Sequence, residues 1–159
     1  MRPGRAAAAG DAAGPGTTTV GGTVPATLAL SLGAPASFGP FAVGVERTYT
    51  ASTTATVVSS AADALLSVSD PDTTAPGRLV NGAFAMPSAL TASAASPLAG
   101  NGPAPASLGA APVTLLNWTA PASNDPATVT FAQHVAGTDP LRTGTYSKTL
   151  TFTLSTTTP

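Results

Sequence analysis

The clearest pattern of apolar and polar positions lies near the end of the chain, in Gly144 to Leu154. Tyr146, Leu150, Phe152 and Leu154 fall on one side of an extended backbone, and Ser147, Thr149, Thr151 and Thr153 on the other. A two-residue period predicts a half-buried β-strand, because successive side chains on a strand point to opposite faces. Lys148 shares the apolar face. The expectation there is a position near the strand's open end, with the stem packed and the ammonium in water.

The same period recurs upstream in shorter pieces. Val24 to Leu32 alternates Leu28, Leu30 and Leu32 with small or polar residues, and Pro25 near its start fits a strand beginning or an edge. Phe38 and Phe41 flank Gly39-Pro40, which predicts a bend with both rings tucked inward. Arg47 to Ser59 places Tyr49, Ala51, Thr53, Ala55 and Val57 on one face. Its length predicts a bulge or a split. Ala64 to Ser69 follows with Leu66 and Val68 inward, and Asp70 to Gly77 reads as a loop by its turn chemistry. Arg78 to Ala85 and Ala89 to Ala94 are weaker strands anchored by Leu79, Val80, Phe84 and Leu90, with Asn81-Gly82 allowing a tight turn or a bulge. Residues 96 to 111 read as a low-complexity loop. Val113 to Thr119 and Thr128 to Val135 are further strands, the first carrying Trp118.

Seven to nine short strands with turn signals between them, and no helical period, predict an all-β chain: an antiparallel immunoglobulin-like β-sandwich, with a jelly roll or barrel as the alternative. The sandwich is expected over residues 20–155. Residues 1–19, rich in Ala, Gly and Pro with nothing to bury, read as a disordered linker or tail, and 156–159 as a polar tail.

Composition narrows the setting. Only 8% of residues are charged and the net charge is -1, so no field draws nucleic acid or an anionic membrane. There is no cysteine, which removes disulfides and thiolate metal sites without fixing a compartment. No apolar run is long enough to span a membrane. Sixteen Gly, sixteen Pro and abundant Thr and Ser disfavour helices and suit an exported bacterial protein with an extracellular or cell-surface location. The opening MRPGRAAAAGDAAGPG lacks the apolar segment of a signal peptide. The expectation is therefore a piece of a longer secreted chain.

The closing residues also carry a resemblance. Phe131-Ala-Gln-His-Val135, Asp139-Pro-Leu-Arg-Thr-Gly-Thr-Tyr146 and Lys148-Thr-Leu-Thr-Phe-Thr-Leu154 resemble the final hairpin of bacterial surface β-sandwich modules. WxL domains, which attach to Gram-positive cell walls, end similarly. Here Phe152 stands in place of their tryptophan, and Ser155 to Pro159 replaces their acidic ending. Gly22-Thr-Val-Pro25, Ala36-Ser-Phe-Gly39, Tyr49 to Thr54, Leu66 to Asp70 and Leu79 to Gly82 resemble an accessory module of actinobacterial secreted proteins, found as repeats or appended to extracellular enzymes. That resemblance, over about residues 20 to 159, implies an Ig-like sandwich outside the cell and does not imply catalysis. The function expected from it is a spacer, stabilising or adhesive element, partnered by neighbouring domains of a larger chain. A module binding cell-wall or other polysaccharide is the alternative.

Candidate chemistry is sparse. His134, the single histidine, falls on the face away from Phe131, and no G-x-S-x-G turn exists to present a nucleophile. Glu46 is the only glutamate, so a facing glutamate pair for glycoside hydrolysis is missing. Glu46 with Arg47, and Asp139 with Arg142, read as exposed ion pairs. Asp70 and Asp72, with Asp63 upstream and Asn124-Asp125 in another expected loop, are the candidates for a calcium ion, which needs several loop oxygens. The competing reading of Asp70-Pro-Asp72 is turn chemistry. Trp118 is the candidate for stacking on a sugar ring, set against the commoner use of a lone sandwich tryptophan in the core.

Overall fold

The structure, a computed structural model, describes residues 14–23, 25 and 27–156. The strand start expected at Val24, most of the N-terminal linker and the last three residues of the polar tail lie outside the described residues. The described chain is all β and its sheets are antiparallel throughout, as a β-sandwich requires.

The first sheet is built on two long strands, β2 (Arg47–Ser59) and β10 (Ala122–Val135), paired from Ser59 opposite Ala122 to Arg47 opposite Val135. β1 (Leu28–Leu32) closes one side of β2, and β6 (Thr91–Ser96) lies on the other side of β10. Two-residue strands β7 (Gly100–Asn101) and β8 (Ala106–Ser107) pair with β6. The second sheet has three strands in the order β11 (Thr151–Thr156), β3 (Ala64–Ser69) and β9 (Val113–Asn117). β4 (Val80–Asn81) and β5 (Phe84–Ala85) form a small hairpin around Gly82. β6 lies against β9 and β1 against β11, so the two main sheets meet along both margins.

Strand alternation fills the space between the sheets. Ala55 and Val57 of β2, Val129 and Phe131 of β10, Leu66 and Val68 of β3, and Leu115 and Leu116 of β9 are all buried in one cluster. Leu79, Met86, Leu90 and Leu108 complete it from the connections. β2 runs its full thirteen residues unbroken. The irregularity lies on its partner: Ala122 and Asp125 of β10 face Ser59 and Val57, so three steps on β10 match two on β2. Asn124 takes up the extra residue at φ 52°, a left-handed conformation that asparagine tolerates better than most residues. Beyond this bulge the inward set changes from even to odd positions, Asp125, Ala127, Val129, Phe131 and Gln133 all being buried. Pro126, mid-strand by count, precedes the stretch paired with β6, so the ladder there needs no amide hydrogen from it.

Several expectations need correction. Gly144 to Leu150 alternates as predicted, with Tyr146 and Leu150 half-buried against the core, but it forms no strand beyond one bridge from Ser147 to Val80. Residues 96 to 111 contain two short strands and a buried leucine, Leu108, where a loop was expected. Phe84 stands outside the core beneath the Arg142 guanidinium, 4.2 Å from its ring centre. Phe38 and Phe41 pack against the core but stay half-buried, their rings tilted with centres 5.8 Å apart and Phe41 edge-on to Tyr49 at 4.9 Å.

Candidate functional site

The residues singled out for chemistry occupy two places, and both are internal linkages. The first is the loop after β3. Asp70 Oδ1 accepts from the Asp72 N–H (3.0 Å), and Asp72 Oδ1 accepts from the Thr74 N–H (2.9 Å), two successive turns of the kind Asp favours. The Gly77 N–H donates to Asp70 Oδ2 (2.6 Å), which closes the loop on itself. Gly77 is required here. Its φ is +78°, and a Cβ would sit 2.0 Å from the Leu108 carbonyl oxygen.

Lys148 reaches into this loop from the segment before β11. Its Nζ lies 3.1 Å from Asp70 Oδ2 and 3.0 Å from Asp72 Oδ2. It also donates to the carbonyls of Thr74 and Ala75, each at 3.2 Å. The lysine side chain is 4% exposed and that of Asp70 fully buried. The expectation of an ammonium in water is therefore overturned: Lys148 lies on the apolar face because it crosses that face to a buried carboxylate. An ammonium has three protons and no acceptor, and this one is surrounded by four oxygens. Burial pushes its pKa down, but the hydrogen bonds to Asp72 and Asp70 and their negative charges outweigh burial and hold it above the ordinary 10.5. The Thr74 N–H, and then Lys148, hold the Asp72 carboxyl below its ordinary 3.8.

This arrangement bears on calcium directly. The two carboxylates and two carbonyls that would ligate a hard cation surround a lysine ammonium. Asp125, the carboxylate considered with them, points elsewhere in the core. Among the described residues no three His, Cys, Asp or Glu side chains converge as a metal site.

The second place is Trp118, just after β9. It is 1% exposed, and its Nε1–H donates to Asp125 Oδ2 at 2.8 Å. Asp125 also accepts from the Leu98 N–H at 3.4 Å. Asp125 pairs with Val57 and is in phase with Ala127, Val129 and Phe131, so the alternation of β10 beyond the bulge carries this carboxylate inward. An indole enclosed in this way offers no face to a sugar ring. The Asn124-Asp125 pair read as loop is strand.

Of the other groups considered, Asp63 and Asp139 are half-buried, and Glu46, Arg47, His134 and Arg142 are on the surface. His134 is exposed, shares a hydrogen bond with Thr48 Oγ1 (3.2 Å), and has Nε2 3.6 Å from Glu46 Oε2. Glu46 thus faces His134, while Arg47 lies over the Tyr49 ring at 5.1 Å. Asp139 accepts from the Ala136 N–H, and Arg142 lies over Phe84. Neither expected ion pair between sequence neighbours forms. No helix among the described residues is long and apolar enough to cross a membrane. Compared with known protein families, curated proteins and solved structures, the chain matches none.

Proposed function

We propose that this chain is a non-catalytic extracellular module, an immunoglobulin-like β-sandwich serving as a spacer, stabilising or adhesive element of a larger secreted protein. One observation carries the reading. The residues with the most chemical potential, Lys148, Asp70, Trp118 and Asp125, are committed to cross-links that tie loops and strands to the core. The low charge and threonine-rich outer faces suit a body whose surface makes few demands on its surroundings.

The experiment is sedimentation of the folded chain with insoluble peptidoglycan and with cellulose, alongside excision of residues 20–155 from the parent protein. The module reading expects the chain in the supernatant, and a parent that loses heat resistance while its own ligand or substrate affinity is unchanged. Retention that soluble glycan competes away would overturn it and favour the polysaccharide-binding alternative, at a surface other than Trp118.

A further inference from the structure

Both sheets end on the same side of the sandwich, and neither edge is protected. β1 is the margin of the first sheet and β11 the margin of the second. Their sequences, LALSL and TFTLST, contain no charge, proline or other device that blunts an edge. Leu28, Leu30 and Leu32 form the core-side row of β1, yet Leu28 and Leu32 remain 44% and 52% exposed because the second sheet stops at β11. Past Gly33, whose N–H still donates to the Thr54 carbonyl, and before Thr151 the two margins leave their ladders, and a groove of about 780 Å³ opens between them. Phe38, Phe41, Phe131, Tyr146, Leu150 and Phe152 line it. The one cation in its walls, Lys148, is already paired. A guest there would desolvate no free charge.

The segment ahead of β1 has complementary properties. Residues 14–23 are exposed throughout, and Val20 keeps 90% of its surface. A Cβ added at Gly14, Gly16, Gly21 or Gly22 would meet nothing within 4 Å, so this stretch stands clear of the body. From Thr17 to Thr27 it has no charged residue, and Val20, Gly22, Val24 and Ala26 continue the two-residue register of Leu28, Leu30 and Leu32. The pattern is that of a strand; in one copy its pairing runs from Thr27, whose carbonyl accepts from the Ser60 N–H, through Leu32, while residues 14–23 are exposed.

We propose that residues 17–23 of a second copy of this chain add as a strand along the free margin of β11, covering the leucine row of β1 and entering the groove. Backbone hydrogen bonds to an open edge supply the affinity in such additions, and alternate side chains supply the fit. Because the donor segment and the acceptor margin are different surfaces, the contact is head-to-tail and generates chains or rings of copies. The inference is separate from the module reading, since a binding module or a spacer could associate in this way.

Two measurements on the chain of residues 1–159 test it. Sedimentation over increasing concentration should show self-association, weakened about tenfold or more by Val20→Lys, a change equivalent to about 1.4 kcal/mol or more. Val20 keeps 90% of its surface in its own copy, so V20K should leave the melting temperature unchanged. The chain has no native cysteine, so a copy carrying only Val20→Cys can be mixed with one carrying only Thr153→Cys and treated with a short thiol-bridging reagent. A mixed cross-linked dimer is expected. A monomer at every concentration with no mixed product would overturn the proposal, as would association unchanged by V20K. Bridging confined to a single chain carrying both cysteines would equally overturn it, by making the segment its own copy's strand.

Discussion

Lys148 shows how much one side chain decides in this molecule. Its ammonium neutralises a fully buried carboxylate and fixes a loop of eight residues, Asp70 to Gly77, against the segment that leads into β11. Removing one member of a buried pair leaves the other charged and poorly compensated, at a cost of roughly 3–5 kcal/mol. Asp70 keeps two backbone N–H donors, so Lys148→Met should fall toward the lower end of that range, read as a lowered denaturant midpoint with an unchanged slope. Millimolar calcium should leave the melting temperature of the wild-type chain unaltered, because the ammonium holds the oxygens a cation would use; a rise would show that the ion displaces it. Trp118 makes the parallel case for a neutral group. Its emission should be blue-shifted and poorly quenched by acrylamide. Asp125→Ala, which orphans the buried indole N–H, should cost about 1–3 kcal/mol. Alternation placed Lys148 on the correct face, but its partner Asp72 lies 76 residues away. Periodicity carries no information about that distance, so solvent was the natural expectation. From sequence Trp118 stays open between core and sugar platform, because its partner Asp125, though near in sequence, lies in a stretch that reads as loop and is strand.

At the scale of elements, sequence was most informative where a strand is paired on both sides and one face is buried. The bounds of β2 and β3 agree with those expected from alternation, because Tyr49, Ala55 and Val57 of β2 and Leu66 and Val68 of β3 are buried at the expected spacing. It was least informative where pairing is short. β7 and β8 are two residues each in an Ala-, Gly- and Pro-rich stretch, held by Leu108 and by pairing with β6 rather than by their own propensity. The first half of β10 was missed for a different reason. The bulge shifts its alternation by one, and Pro126 beside it reads as a breaker. This irregularity is itself testable. Asn124→Gly should be tolerated at φ 52°, while Asn124→Val forces a β-branched side chain into the left-handed region at about 1–2 kcal/mol. Because Asn124 adjoins Asp125, the partner of the indole N–H, N124V should also raise the acrylamide quenching of Trp118, whereas a substitution that merely weakens β10 would leave the folded protein's quenching unchanged.

Across the whole molecule, the ion pairs joining the loop after β3 to the segment before β11 give stability a pH dependence of their own. Asp72 titrates below its ordinary value in the folded chain, so its contribution is present above the unfolded carboxylate range and is lost as pH falls through the lowered folded value. Lys148 titrates above its ordinary 10.5, so its contribution is complete below the unfolded lysine value and is lost as pH rises through the raised one. Stability from this clasp should therefore form a plateau with edges near the ordinary carboxylate and lysine values, about 4 and 10.4. Melting curves across that range should be flat between the edges and fall on both sides. In Lys148→Met the alkaline fall attributable to the clasp should disappear, because no group remains there to lose a proton. An alkaline edge of equal size in the variant would place its origin elsewhere, leaving Lys148 a packing contact rather than the charge that holds the Asp70 loop.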